Sequence, residues 1–141
     1  RLPSPWQTLC DDETLIVRND LKRYLAHPFP TWSDYLLRSS ERTWNVERSV
    51  PLSAIFFLEQ AENDEVVPIG QGQATILINQ LTKQIPQPRW PDSNPNEEME
   101  LRRMLFENAC EIAKAVPSYI LRVSLKGRFW EEMERALSLR V

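Results

Sequence analysis

The chain has 141 residues, 42% of them hydrophobic and 26% charged, which fits one globular domain and excludes an intrinsically disordered chain. Its net charge is −3 and its Lys and Arg residues are scattered, so no concentrated basic surface marks nucleic acid as a partner. The longest apolar run, Ala54 to Leu58, falls far short of the roughly 20 residues of a membrane span, and no basic-then-apolar leader opens the chain; a soluble, cytoplasmic protein without a membrane partner is expected.

Pro3 and Pro5 hold the first residues extended, and Gln7 to Cys10 is a short strand candidate. Asp11 to Thr14 reads as a turn, because Asp side chains bond nearby backbone amides. Leu15 to Arg18 is a β-branched strand, Asn19 and Asp20 a turn, and Lys22 to Ala26 the second hairpin arm. His27 to Pro30 is expected as loop, since each Pro pushes its predecessor out of helical geometry. Trp32, Tyr35 and Leu36 recur at helical spacing within Thr31 to Arg38.

The apolar run through Ala54 to Glu59 suits a strand covered on both faces, and is expected at the centre of a sheet. Val66 to Ile69 is a short return strand that Pro68 confines to an edge or a strand end. The period then changes. Ala74, Leu77, Ile78, Leu81 and Ile85 form the stripe of an amphipathic helix that opens near Gly70 to Gly72 and ends at Pro86 and Pro88. A second helix starts on the N-cap Asn94, with Pro95 at its first position and Glu97 at its third. Its stripe is Leu101, Leu105, Ala109, Ile112 and Val116, and Pro117 closes it. Tyr119, Leu121, Val123 and Leu125 alternate along a last strand, with Arg122 on its polar face. Lys126 and Gly127 turn the chain into a short helix striped by Phe129, Trp130, Met133 and Leu137. A β-rich first half followed by α, α, β, α predicts an α/β domain: one mixed sheet flanked by two or three helices.

Cys10 and Cys110 lack metal-ligand spacing and read as reduced, buried thiols. Asp11 and Asp12 are adjacent carboxylates after a strand candidate; a solvated turn is the alternative reading. His27 is the single histidine, so any histidine-dependent role falls on it; exposure or a backbone hydrogen bond is the alternative. Arg122 could meet a phosphate or a peptide, as could Arg89 beside Trp90, against the default of an exposed arginine. Gly70, Gln71 and Gly72 could offer amides to an anion, but helix entry explains them.

The stretch Val50 to Gln60 (VPLSAIFFLEQ), its acidic turn and Val66 to Gly70 (VVPIG) resemble HPr-kinase-like and phosphoenolpyruvate-carboxykinase-like proteins. Leu9 to Glu13 (LCDDE), His27 to Tyr35 (HPFPTWSDY) and Arg122 to Glu131 (RVSLKGRFWE) agree. Together they are similar to the SynChlorMet cassette proteins of that class, over nearly the whole chain. The resemblance implies the C-terminal portion of a P-loop fold that uses Mg and ATP to phosphorylate a Ser in a peptide or protein. Asp11 and Asp12 would then be the catalytic and metal carboxylates. His27 and Arg122 would be the phosphate or substrate contacts.

The implied setting is a cassette of radical-SAM enzymes and a PqqD-like peptide-binding protein, with a precursor peptide or cassette proteins as partners. The 141 residues hold only Gly70, Gly72 and Gly127 and no Gly-Lys pair, so the phosphate-binding loop of that class is missing and is expected upstream of Arg1 in a longer parent. Without it, a non-catalytic binding or scaffolding subunit is the alternative function. A half-sheet left uncovered predicts pairing with a peptide or with a second copy.

Overall fold

The computed structural model describes residue 3 and residues 6–10, 13–29, 48–84 and 94–139. The chain divides into two compact units, Arg1–Leu52 and Ser53–Val141.

The first unit carries an antiparallel sheet of β1 (Glu13–Arg18), β2 (Tyr24–Phe29) and β3 (Val50–Pro51), in that order. Its hairpin turn is closed by local bonds. Lys22 N–H donates to the Asn19 carbonyl at 2.9 Å, and Arg23 N–H to the Asn19 side chain at 2.8 Å. The Asn19 side chain thus stands in for a strand partner where the chain reverses.

Three expectations change here. Residues 6–10 are not a strand, and Trp6 N–H instead closes a turn onto the Pro3 carbonyl at 2.9 Å. β1 already begins at Glu13, inside the expected turn. His27, Pro28 and Phe29 belong to β2 rather than to a loop. Pro28 is tolerated because β3 pairs only Leu25 and Ala26, so among the described residues one flank of β2 is unpaired at Pro28.

The second unit is a three-stranded sheet with helices on both faces. β4 (Ile55–Gln60), β5 (Glu65–Pro68) and β6 (Ser118–Val123) lie in the order β4-β6-β5, with β4 parallel and β5 antiparallel to β6. On one face α1 (Gln71–Gln84) and α2 (Pro95–Ala115) pack together through buried Ala74, Ile78, Ala109 and Ala113, with Ile55 and Phe57 against them. On the other face Phe56 and Tyr119 stack, ring centroids 5.1 Å apart, and α3 (Phe129–Ser138) lies over β5 and β6.

The α/β class, the mixed sheet and three flanking helices hold; the strands, however, divide between two sheets. β6 is the central strand of the second, and Leu121 on it is the most deeply buried large side chain among the described residues, 1% exposed. β4, expected at the centre, stands at the margin. An apolar run reports that a strand's faces are covered but not that both its edges are paired. Here the cover is also partial, with Leu58 76% exposed. The last strand stops at Val123, so Leu125 is not on its apolar face but 81% exposed. Leu81, assigned to the buried stripe of α1, is half-exposed. Neither cysteine is in a disulfide, and both are half-buried rather than buried. The expected helix at Thr31 to Arg38, and Ile85 with the prolines beyond α1, lie outside the described residues.

The start of α2 shows why a helix begins where it does. Glu97 N–H donates to the Asn94 side chain at 3.0 Å, and Asn94 N–H donates back to the Glu97 carboxylate at 3.4 Å. Pro95 lacks the N–H that would go unused at this position. Asn94→Ala removes the cap and should lower stability by about 1 kcal/mol, read as a fall in the midpoint of urea unfolding. Asn94→Gly, which keeps the backbone cap geometry, should cost only a few tenths.

Candidate functional site

β4 and β6 run parallel, so their carboxyl ends, Gln60 and Val123, meet at one margin of the sheet. Open α/β sheets bind ligands in the crevice outside such ends. Two segments leave this margin, 61–64 toward β5 and 124–128 toward α3.

Those two segments are tied together. Ser124 N–H donates to the Asp64 carboxylate at 2.7 Å, and Gly127 N–H donates to the Ser124 hydroxyl at 3.0 Å. The Asp64 carboxylate fills the space where a Cβ on residue 127 would project, so this position demands glycine for close approach. Leu125 completes the tight turn with φ 63°, a left-handed conformation that costs a leucine about 1 kcal/mol and is held by its surroundings. Asp64 and Gly127 were both legible as turn residues. Their contact was not, because nothing local links residues so far apart in sequence.

Arg122 sits at the same margin, in the face that carries α1 and α2. Its Nε donates to Glu59 at 2.9 Å and its Nη1 to Glu65 at 2.8 Å, so one guanidinium joins all three strands. The Glu59 bond first and the Glu65 bond second raise the Arg122 pKa above its usual value. The side chain is 43% exposed, and solvent screening keeps its contribution to stability small. Chemically, the cation already faces two carboxylates, and any phosphate reaching it would have to displace one.

The other candidate residues fall elsewhere. His27 is half-buried on β2, opposite Leu15, on the strand face away from buried Ala26 and Pro28. It belongs to the first unit and Arg122 to the second. Asp11 and Asp12 lie outside the described residues, as do Arg89 and Trp90. Gly70 to Gly72 lead into α1, as helix entry requires. Among the described residues no group of three or more His, Cys, Asp or Glu side chains is placed to share a metal ion, and no helix is long and apolar enough to cross a membrane.

The second unit also carries a groove of about 290 Å³ between the β5 side of the sheet and α3, lined by Val66, Pro68, Tyr119, Ala136 and Leu139. Arg135 borders it, its Nη1 bonded to both Glu132 oxygens at 2.8 Å.

No curated protein and no solved structure matches the chain. The family model of SynChlorMet cassette protein ScmC matches residues 1–138. With every helix and strand described above inside that match, the chain belongs to the SynChlorMet cassette protein ScmC family.

Proposed function

We propose that the chain acts on a peptide within its cassette, as part of an HPr-kinase-like, phosphoenolpyruvate-carboxykinase-like fold that phosphorylates a Ser with Mg and ATP. The observation that supports this reading is the parallel β4–β6 pair, whose carboxyl ends lie together in a sheet flanked by helices on both faces. Adjacent carboxylates are hard oxygen donors of the kind Mg²⁺ takes, so Asp11 and Asp12 are the residues to hold the ion and to orient the attacking hydroxyl. His27 and Arg122 are the proposed phosphate or peptide contacts. The reading places the protein in the cytoplasm, with the precursor peptide or other cassette proteins as partners.

Titration calorimetry of Mg-ATP into the 141-residue chain tests it. Binding should be measurable and should weaken by about tenfold or more when Asp11→Ala and Asp12→Ala are combined, the loss of 1.4 kcal/mol or more of ligand interaction. Tight binding that survives both substitutions removes the site assignment. A second reading, a non-catalytic subunit that binds the precursor peptide or the modifying enzymes, is favoured by Arg122 being engaged by Glu59 and Glu65. If the chain takes up no Mg-ATP at all, this second reading is the one that stands.

A further inference from the structure

The two margins of the mixed sheet differ in what they offer. At β5, Ile69 N–H donates to the Ser118 carbonyl at 3.1 Å. Ladder bonds alternate along a strand, so Val67 and Glu65 also face β6, while Val66 and Pro68 face outward. Pro68 has no N–H to give. This margin is short and blunted, as natural sheet edges are.

At β4 the same reasoning gives the opposite result. Ile55 N–H donates to the Pro117 carbonyl at 2.9 Å and Ala61 N–H to the Val123 carbonyl at 3.0 Å, which fixes the parity at both ends of the strand. Phe56, Leu58 and Gln60 therefore turn their N–H and C=O groups away from β6. Among the described residues β4 pairs with β6 alone. No Pro, Lys or bulge protects the strand, and Leu58 stands 76% exposed beside it. Such a margin is a template for one more strand.

Charge decides between a second copy and a different partner. Around the carboxyl end of β4 stand Glu59, Glu62, Asp64 and Glu65, against Arg122 and Lys126, while Arg128 is neutralised by Glu131. Four negative groups facing two positive ones leave a surplus of two negative charges. A second copy pairing antiparallel would set the uncharged start of its own β4, Ser53 to Ile55, beside this corner and leave the surplus unmatched. A strand running antiparallel to β4 places its N-terminus beside Gln60 and Glu62, where a basic residue and a free amino group are matched.

Building on the proposed action on a peptide, we infer that the outer margin of β4 is the docking strand for an extended peptide, paired antiparallel and basic at its N-terminal end. Backbone bonds to Phe56, Leu58 and Gln60 hold it, and the acidic corner sets its direction.

The test uses the whole chain and a short fluorescent peptide of alternating Thr and Val with two lysines at its N-terminus. Anisotropy should show binding that weakens about tenfold when the lysines become glutamates, with the gap narrowing at high salt. N-methylating the peptide at the alternate residues that face β4 should abolish binding. Leu58→Pro, which removes an outward N–H and leaves the bonds to β6, should weaken it comparably. Equal binding of the N-methylated peptide overturns the inference, and so does equal binding of the glutamate peptide at low salt. A dimer in sedimentation that Leu58→Pro dissolves, with no peptide binding, assigns the margin to a second copy instead. Mg-ATP binding without peptide binding overturns the docking strand alone; peptide binding without Mg-ATP uptake leaves the docking strand standing and removes the phosphotransfer reading.

Discussion

Leu121→Ala should destabilise the Ser53–Val141 unit by about 2–5 kcal/mol, the range for truncating a buried leucine whose surroundings cannot fully collapse. Leu121 is 1% exposed at the middle of the central strand, between Leu58 on β4 and Val66 on β5. Neighbouring Tyr119, 5% exposed, stacks on Phe56 and lines the groove under α3, so the layer around Leu121 is held in place on several sides. A rigid surround relaxes poorly into a cavity, which puts the expected loss in the upper part of that range. Single domains are stable by roughly 5–15 kcal/mol, so the variant should approach unfolding at growth temperature. Urea unfolding followed by circular dichroism should show a lower midpoint with the slope unchanged. Leu58→Ala is the internal control. Leu58 is the register partner of Leu121 on the same face of the sheet, yet it is 76% exposed and should cost less than about 0.5 kcal/mol. Equal losses from the two substitutions would mean that the face of β4 carrying Leu58 is covered.

That contrast also marks what the sequence could and could not carry. Local chemistry was readable. Asn94, Pro95 and Glu97 announce the start of α2, Pro68 announces a strand that cannot be central, and the alternation through Tyr119 and Leu121 announces β6. What failed depends on pairing. The run Ile55 to Leu58 has the hydrophobicity of a central strand, but whether a strand has one neighbour or two is decided by segments far away in the chain. Pro28 looked like loop because the cost of its missing N–H depends on whether a strand lies alongside, and β3 ends before reaching it. Division of the strands into two sheets follows from pairing in the same way.

The candidate site divides along the same line. Alternation placed Arg122 on the polar face, but its partners Glu59 and Glu65 follow from the registers of β4 and β5 against β6, which no spacing rule supplies. Asp11 and Asp12 were singled out by type and by resemblance. His27 was singled out by being the single histidine, and its strand position came only with the β1–β2 register.

Gly127→Ala should reverse its sign with the residue at position 64. In the native chain the new methyl group meets the Asp64 carboxylate, so the carboxylate must swing out. Doing so breaks its 2.7 Å bond from Ser124 N–H and loosens the turn that leads from β6 into α3. Losing a hydrogen bond to a charged acceptor and leaving a part-buried donor unmatched should together cost about 1–3 kcal/mol. Strain is not the cause, because no glycine of the described chain has positive φ and an alanine backbone fits at this position. Asp64→Ala alone should cost a similar amount for the same lost bond. With the carboxylate gone, however, Gly127→Ala removes conformational freedom from the unfolded chain without meeting an obstacle. In that background it should stabilise by about 0.4–1 kcal/mol. The double-mutant cycle, measured by urea unfolding of all four proteins, should therefore give a coupling of more than 1 kcal/mol. Additive losses would show that Asp64 does not stand against Gly127, and that the two segments at the carboxyl margin of the sheet are held by something other than this contact.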